Sequence, residues 1–196
     1  MLQRRKFFLS EFSLILQAMN GDLRTGQFSR KVTSGMIVNT NLEADILELV
    51  VLNRYRPGKQ AVAFIRAFGL KQGTLASSVA HDSRHIVAVG CDDESLLSVI
   101  DEIIDKKCGI AACYKKILIS LKLDISNLMS SASGEEVARD FQSLNHTDSR
   151  LDSRLKAPFM MLSFMVLVII SELKLGKKGL FDVNSFDWTY LFVKNV

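Results

Sequence analysis

The 196 residues carry 25 lysines and arginines against 21 aspartates and glutamates, a formal net charge of +4. With 48% hydrophobic and 23% charged residues the chain can bury a core, which excludes a disordered or low-complexity protein. The basic excess is scattered, with no Lys/Arg stripe interleaved with aromatics, so no nucleic-acid partner is expected.

The first residues imitate a secretory leader, with Arg4, Arg5 and Lys6 before Phe7, Phe8 and Leu9. Glu11 then interrupts the apolar run, and no clear small-x-small cleavage site follows. Phe8, Phe12, Ile15, Leu16 and Met19 fall on one helical face, which predicts a helix stopped by Asn20-Gly21. Residues 22–40 are polar and read as a linker with one weak strand at Met36 to Val38. The expected organisation is therefore an N-terminal helix and linker over 1–40 and a main domain over 41–196.

Ala61 to Phe68 reads as a strand with Val62, Phe64, Arg66 and Phe68 on one face. Arg66 among apolar neighbours is either the partner of an anion or carboxylate, or an edge residue reaching water. Two short buried strands are expected at Thr74 to Ala80 and Ile86 to Val89, bounded by Gly73 and Gly90. A helix follows over 92–107. Asp92 caps it, Asp93 and Glu94 suit its positive end, and Lys106 and Lys107 suit its negative end. Its expected buried face is Leu96, Ile100, Ile103 and Ile104.

Alternation over 117–123 predicts a half-buried strand. Ser133 to Glu136 forms a capping box opening a second helix, with Val137, Phe141 and Leu144 inward and a solvated His146 near its end. The uncharged run from Ala157 to Ser171 falls short of the ~20 residues of a membrane span and reads as a core strand or helix. Strands are expected from Leu180 to Val193. This order predicts an α+β layered domain, with a mixed or antiparallel sheet and two or three packed helices. The protein is expected to be cytoplasmic, with no membrane partner. Its three cysteines are an odd number, and Cys108 and Cys113 lack the second pair a zinc site needs, so free thiols are expected.

Between the two short strands lies a polar island: His81, Asp82, Ser83, Arg84 and His85. Charges at a buried strand junction must be paired, hydrated or in contact with a ligand. Three chemical readings stand beside that of a solvated turn. His81 and His85 could share a metal. Ser78, His81 and Asp82 could form a nucleophilic unit, although three such close neighbours orient one another poorly. Or the loop supports or lines the active site of a neighbouring domain.

The stretch Gly73, Ala76, Ser77, Ser78, Val79, Ala80, His81, Asp82 and Ser83 resembles the signature of the C-terminal domain of adenine deaminases, in the amidohydrolase superfamily. Arg84 and His85 stand where that pattern has His-Asn. Asp45-Ile46-Leu47, Arg54-Tyr55, and Phe64 to Lys71 agree in order and spacing, with Ala67 replacing a Gly. So do Leu128-Met129-Ser130, Pro158-Phe159-Met160, Leu162-Ser163-Phe164, Glu172 to Leu175, Gly179-Leu180 and Asp182-Val183. Ser171 replaces a Pro and Ser126-Asn127 replaces Ala-Gly. The resemblance runs from about Asp45 to Val193.

The resemblance implies hydrolytic deamination of adenine to hypoxanthine and ammonia by a metal-dependent barrel, with manganese or iron as cofactor of the complete enzyme. Such a barrel takes about 250 residues, and this chain has three His and no His-x-His pair. The resemblance therefore implies a C-terminal domain or fragment, expected to bind no metal and to be inactive alone. Its expected partners are an amidohydrolase barrel domain or subunit, adenine as the complete enzyme's substrate, and copies of itself. Ser77, Ser78, His81, Asp82, Ser83, Arg84, His85 and Arg66 are the candidate active-site-lining residues. The alternative is a stand-alone binding or scaffold remnant without catalysis.

Overall fold

The computed structural model describes residues 11–32, 39–56, 58–81, 84–107, 109–126 and 128–194. Twelve strands and three helices are present among them. The strands are β1 (Glu11–Ala18), β2 (Thr25–Val32), β3 (Ile46–Leu52), β4 (Ala61–Arg66), β5 (Thr74–Ser77) and β6 (Ile86–Gly90), followed by α1 (Asp93–Asp105), β7 (Gly109–Tyr114) and β8 (Ile117–Lys122). Then come α2 (Gly134–Arg150), α3 (Pro158–Phe164), β9 (Leu173–Gly176), β10 (Gly179–Asp182), β11 (Asp187–Thr189) and β12 (Phe192–Val193).

Nine strands form one mixed sheet in the order β12-β1-β4-β3-β6-β5-β7-β8, with β2 paired to β1. The β1–β4 pairing is parallel and the others are antiparallel. Strands β9 to β11 make a small antiparallel sheet. This is the expected α+β layered architecture with a mixed sheet and three helices.

Strand alternation sorts side chains into two cores. On one face, Val50, Ala76, Ile86, Ala88 and Ala111 pack against Leu96, Val99, Ile100 and Ile103 of α1. On the other, Leu47, Leu49, Val51, Leu75, Val87 and Val89 meet Leu144 and Leu151, Leu162 of α3, and Leu175 and Leu180 of the small sheet. The molecule is thus layered as helix, sheet, and a second layer of helices with the small sheet.

The cap signals hold. Asp92 Oδ1 accepts from the Ser95 amide at 2.8 Å and starts α1. In the capping box Ser133 N–H donates to Glu136 Oε2 at 3.0 Å, and Glu136 N–H donates to Ser133 Oγ at 3.3 Å. Pro158 opens α3, where its missing N–H costs no helical bond.

Four expectations are corrected. Residues 11–18 form strand β1, not the second half of a helix: Leu14, Ile15 and Leu16 are all buried because both faces of the sheet are covered. The expected linker contains β2, which pairs with β1 along its whole length. Residues 1–10 and the strand expected at Met36 to Val38 lie outside the described residues. Third, β4 ends at Arg66, and Ala67 (φ 63°) turns the chain so that Phe68 joins the opposite core. Fourth, Ile104 and Phe141 are exposed, and Val99 fills the place expected of Ile104. His146 is exposed on α2, as expected.

Candidate functional site

The polar island follows β5 and precedes β6, which pair antiparallel in the register Thr74↔Gly90 to Ser77↔Val87. Asp82 and Ser83 lie outside the described residues. The others have separate fates.

Ser77 and Ser78 are buried and committed to the fold. Ser77 Oγ accepts from the Val79 amide at 3.0 Å. Ser78 N–H donates to the Gly109 carbonyl at 2.8 Å, Ser78 Oγ donates to the same carbonyl at 3.2 Å, and Ser78 Oγ accepts from the Gly109 amide at 2.8 Å. These bonds tie the end of β5 to the start of β7. A hydroxyl so engaged and shielded from solvent is no nucleophile for an external substrate. The Ser78-His81-Asp82 unit therefore fails at its first member.

His81 is exposed, its amide donates to the Ser163 carbonyl at 3.2 Å, and its ring stacks on Phe164 at 4.1 Å. The C-terminal part of α3 thus holds the loop from beneath. Arg84 is exposed and takes φ 49°. His85 is 3% exposed and meets the edge of the Tyr55 ring at 5.8 Å. Tyr55 itself is 60% exposed, with its hydroxyl accepting from Arg54 at 2.7 Å. One histidine therefore faces outward and the other inward, on different aromatic rings. No group of three His, Cys, Asp or Glu side chains is placed to hold a metal among the described residues. The donors on the described island do not fit a manganese or iron ion.

Arg66 is not brought to the island. In register, Arg66 lies opposite Ile46 at the start of β3, whereas Ile86 lies opposite Leu52 at its end. The seven residues of β3 separate them by about 20 Å. The side chain of Arg66 instead covers the Phe28 ring at 4.2 Å and lines a separate cavity with Asp45, Lys71 and Arg154. Sequence reading identified Arg66 but missed this company, since Arg154 arrives from a distant loop with no motif around it.

Cys91 and Cys113 are free and buried. Burial pushes the Cys91 thiol up to about 12, with the nearby Asp92 charge adding to it, and burial also raises Cys113. Neither is a thiolate at neutral pH. Cys108 lies outside the described residues. Among the described residues no helix is long and apolar enough to cross a membrane.

Two exposed apolar side chains flank the island. Tyr55 stands on the His85 side, and Met160, 60% exposed on α3, stands near the backbone that holds His81. The outward face of this region is thus a mixture of apolar surface, an imidazole and a guanidinium.

Comparison with known proteins agrees with the motif pattern. The family described as adenine deaminase C-terminal domain matches residues 23–187. An adenine deaminase of Methanosarcina mazei is 43% identical over 180 residues, which is 91% of this chain and 32% of that protein. One from Sulfurovum sp. is 43% identical over 173 residues, 88% of this chain and 31% of that protein. One from Borreliella burgdorferi is 43% identical over 149 residues, 75% of this chain and 27% of that protein. The chain spans about a third of the length of these relatives.

Proposed function

Because the chain belongs to the adenine deaminase C-terminal domain family, we propose that it serves as the C-terminal part of a deaminase acting on adenine. The complete enzyme would hydrolyse adenine to hypoxanthine and ammonia, in purine salvage in the cytoplasm. Its metal chemistry would belong to an amidohydrolase barrel in another segment or subunit. The observation that carries this reading is the 43% identity running over 91% of the chain but only 32% of the relative. A domain matched so fully, at a third of the relative's length, is one piece of a larger machine. This chain's share would be to dock on the barrel through the island face.

The geometry supports a supporting or covering role. His81 rests on α3, and the strand leading to it is tied to β7 by Ser78 on Gly109. Its outward members, His81 and Arg84, are free to meet a neighbouring domain, and Tyr55 and Met160 supply apolar contact area beside them.

Ammonia release from adenine tests the reading. The purified chain should release none above a heat-killed control, with or without added manganese. Co-purified with an amidohydrolase barrel from a relative, it should bind, and turnover should exceed that of the barrel alone. Metal-dependent release by the chain alone would overturn the division of labour. In the complex, Asp82→Asn should lower turnover while leaving the urea midpoint of the isolated chain nearly unchanged. A large fall in that midpoint would move Asp82 from function to folding.

A further inference from the structure

The cavity at the far end of β3 has no part in the function proposed above. It has a volume of about 370 Å³ and is lined by Glu43, Asp45, Arg66, Lys71 and Arg154 among others. Three cations converge on it, Arg66 and Lys71 from the end of β4 and the turn after it and Arg154 from a distant loop. Among the described residues no ion pair joins any of them to a carboxylate. Arg66 Nε is buried and has no hydrogen-bond partner among the described residues. A desolvated guanidinium donor without an acceptor is costly, so the Arg66 head keeps hydrogen-bonding capacity that the described protein groups leave unused.

The backbone around the cavity is arranged to hold these cations. Gly69, at φ 86°, would place a Cβ within 2.7 Å of both the Arg154 backbone nitrogen and its Cγ. Only a residue without a side chain lets the Arg154 stem lie against this turn. The Gly69 amide donates to Asp45 Oδ1 at 2.9 Å, which occupies one carboxylate oxygen and fixes the turn. Lys71 Nζ donates to the Leu42 carbonyl at 3.0 Å, leaving its other protons available. Phe28 supports the Arg66 guanidinium from one side.

Two guanidiniums and an ammonium around one concavity match a multiply charged oxyanion better than a single carboxylate. Arg forks bind such oxygens in pairs, and Lys adds a point charge. We propose that this cavity binds a phosphate group, either free phosphate or that of a small phosphorylated metabolite. Two carboxylate residues, Glu43 and Asp45, also line the cavity. They would accept from hydroxyls of a phosphorylated sugar.

Titration of the intact chain with inorganic phosphate, at constant ionic strength set by chloride, tests the site through amide chemical shifts. Saturable shifts confined to residues around 43–45, 66–71 and 154 are expected, with a dissociation constant in the millimolar range or below. Arg66→Gln should weaken binding at least tenfold. Arg154→Gln, at an exposed side chain, should do the same should Arg66→Gln fail to fold. Glu43→Gln should tighten binding by removing a repelling charge. Ribose 5-phosphate binding more tightly than phosphate would assign the site to a sugar phosphate, and equal affinity would assign it to the free anion. Shifts that do not saturate, or that are equal in Arg154→Gln and the parent, would overturn the proposal. None of these readouts involves adenine, so they stand or fall apart from the deaminase reading.

Discussion

The two ends of β3 treat polar residues in opposite ways. At the Leu52 end, Ser77 and Ser78 are sealed into the fold, and Ser78 is engaged on both sides by Gly109. At the Ile46 end, Arg66, Lys71 and Arg154 surround open space and Arg66 Nε has no protein acceptor among the described residues. Ser77-Ser78 at one end and Arg66 at the other look alike as strings, a polar residue or two set among aliphatic ones. The difference lies in whether neighbouring backbone groups already satisfy the polar atoms. A satisfied group stabilises the fold, while an unsatisfied one is available to a ligand.

Substitutions at the two ends should therefore diverge. Gly109→Ala should do most damage. At φ 151° its Cβ would lie 2.2 Å from the Leu121 carbonyl oxygen, a clash with backbone that cannot swing away. We expect a loss of about 3 kcal/mol or more in urea denaturation, from strain and the forced shift of β8. Ser78→Ala should follow, at about 2 kcal/mol, because the buried Gly109 amide loses its acceptor. A cost under about 0.5 kcal/mol would show that the island end is not sealed as described.

Lys174 sharpens the contrast, being a buried cation with two of its three donors held by backbone carbonyls. It is fully buried, and its Nζ donates to the Leu23 carbonyl at 3.0 Å and the Phe164 carbonyl at 3.1 Å. Burial lowers its pKa from 10.5 to about 8, against a smaller opposing pull from Asp22. The folded state then binds fewer protons than the unfolded state between those two values. Its stability should rise as pH increases from about 8 towards 10.5, by on the order of 1–2 kcal/mol, and the penalty is fully present below 8. Urea midpoints at pH 7.5 and 10 should show this rise in the parent, and Lys174→Met should flatten it. An equal rise in both proteins would assign the effect to other groups.

The smallest effects belong to the cavity end. Ala67 takes φ 63°, in the left-handed region that disfavours a Cβ, at the position where the resembling pattern has Gly. Ala67→Gly should stabilise by about 0.5–1 kcal/mol by thermal denaturation. Arg66→Gln should change stability by less than about 0.5 kcal/mol, since it loses one ring contact and relieves one unsatisfied donor. A loss as large as that of Ser78→Ala would make Arg66 a folding residue and erase the comparison.

Much of this was legible in the chain. The Asp92 cap, the Ser133–Glu136 box and the two short strands are local signals, written within a few residues; the caps stand, while β5 ends at Ser77 instead of Ala80 and Gly90 lies inside β6. Strand β1 was misread because a strand buried on both faces shows a continuous apolar run, which periodicity does not separate from a helix. Asn20-Gly21 was read as a stop, yet it lies in the turn between β1 and β2, where that dipeptide is a hairpin signal. The commitment of Ser78 and the company of Arg66 depend on Gly109 and Arg154, far away in sequence. No local pattern contains such partners.

The placement of β1 also sets a clock. One of its edges is shared by β4, at Ile15 to Gln17, and by β12, at Phe12 and Ser13, with the Leu14 amide donating to the Leu191 carbonyl. The edge of β1 is therefore filled only when β12, far along the chain, has been made. Roughly 180 residues lie between these partners, and at ~5–20 residues per second a ribosome needs on the order of 10–35 s to span them. During that interval the Phe12 end of β1 is an open strand edge in a nascent chain. This pairing has the largest sequence separation of the strand pairings described. Any chaperone that attends the synthesis of this domain has its longest task at its beginning.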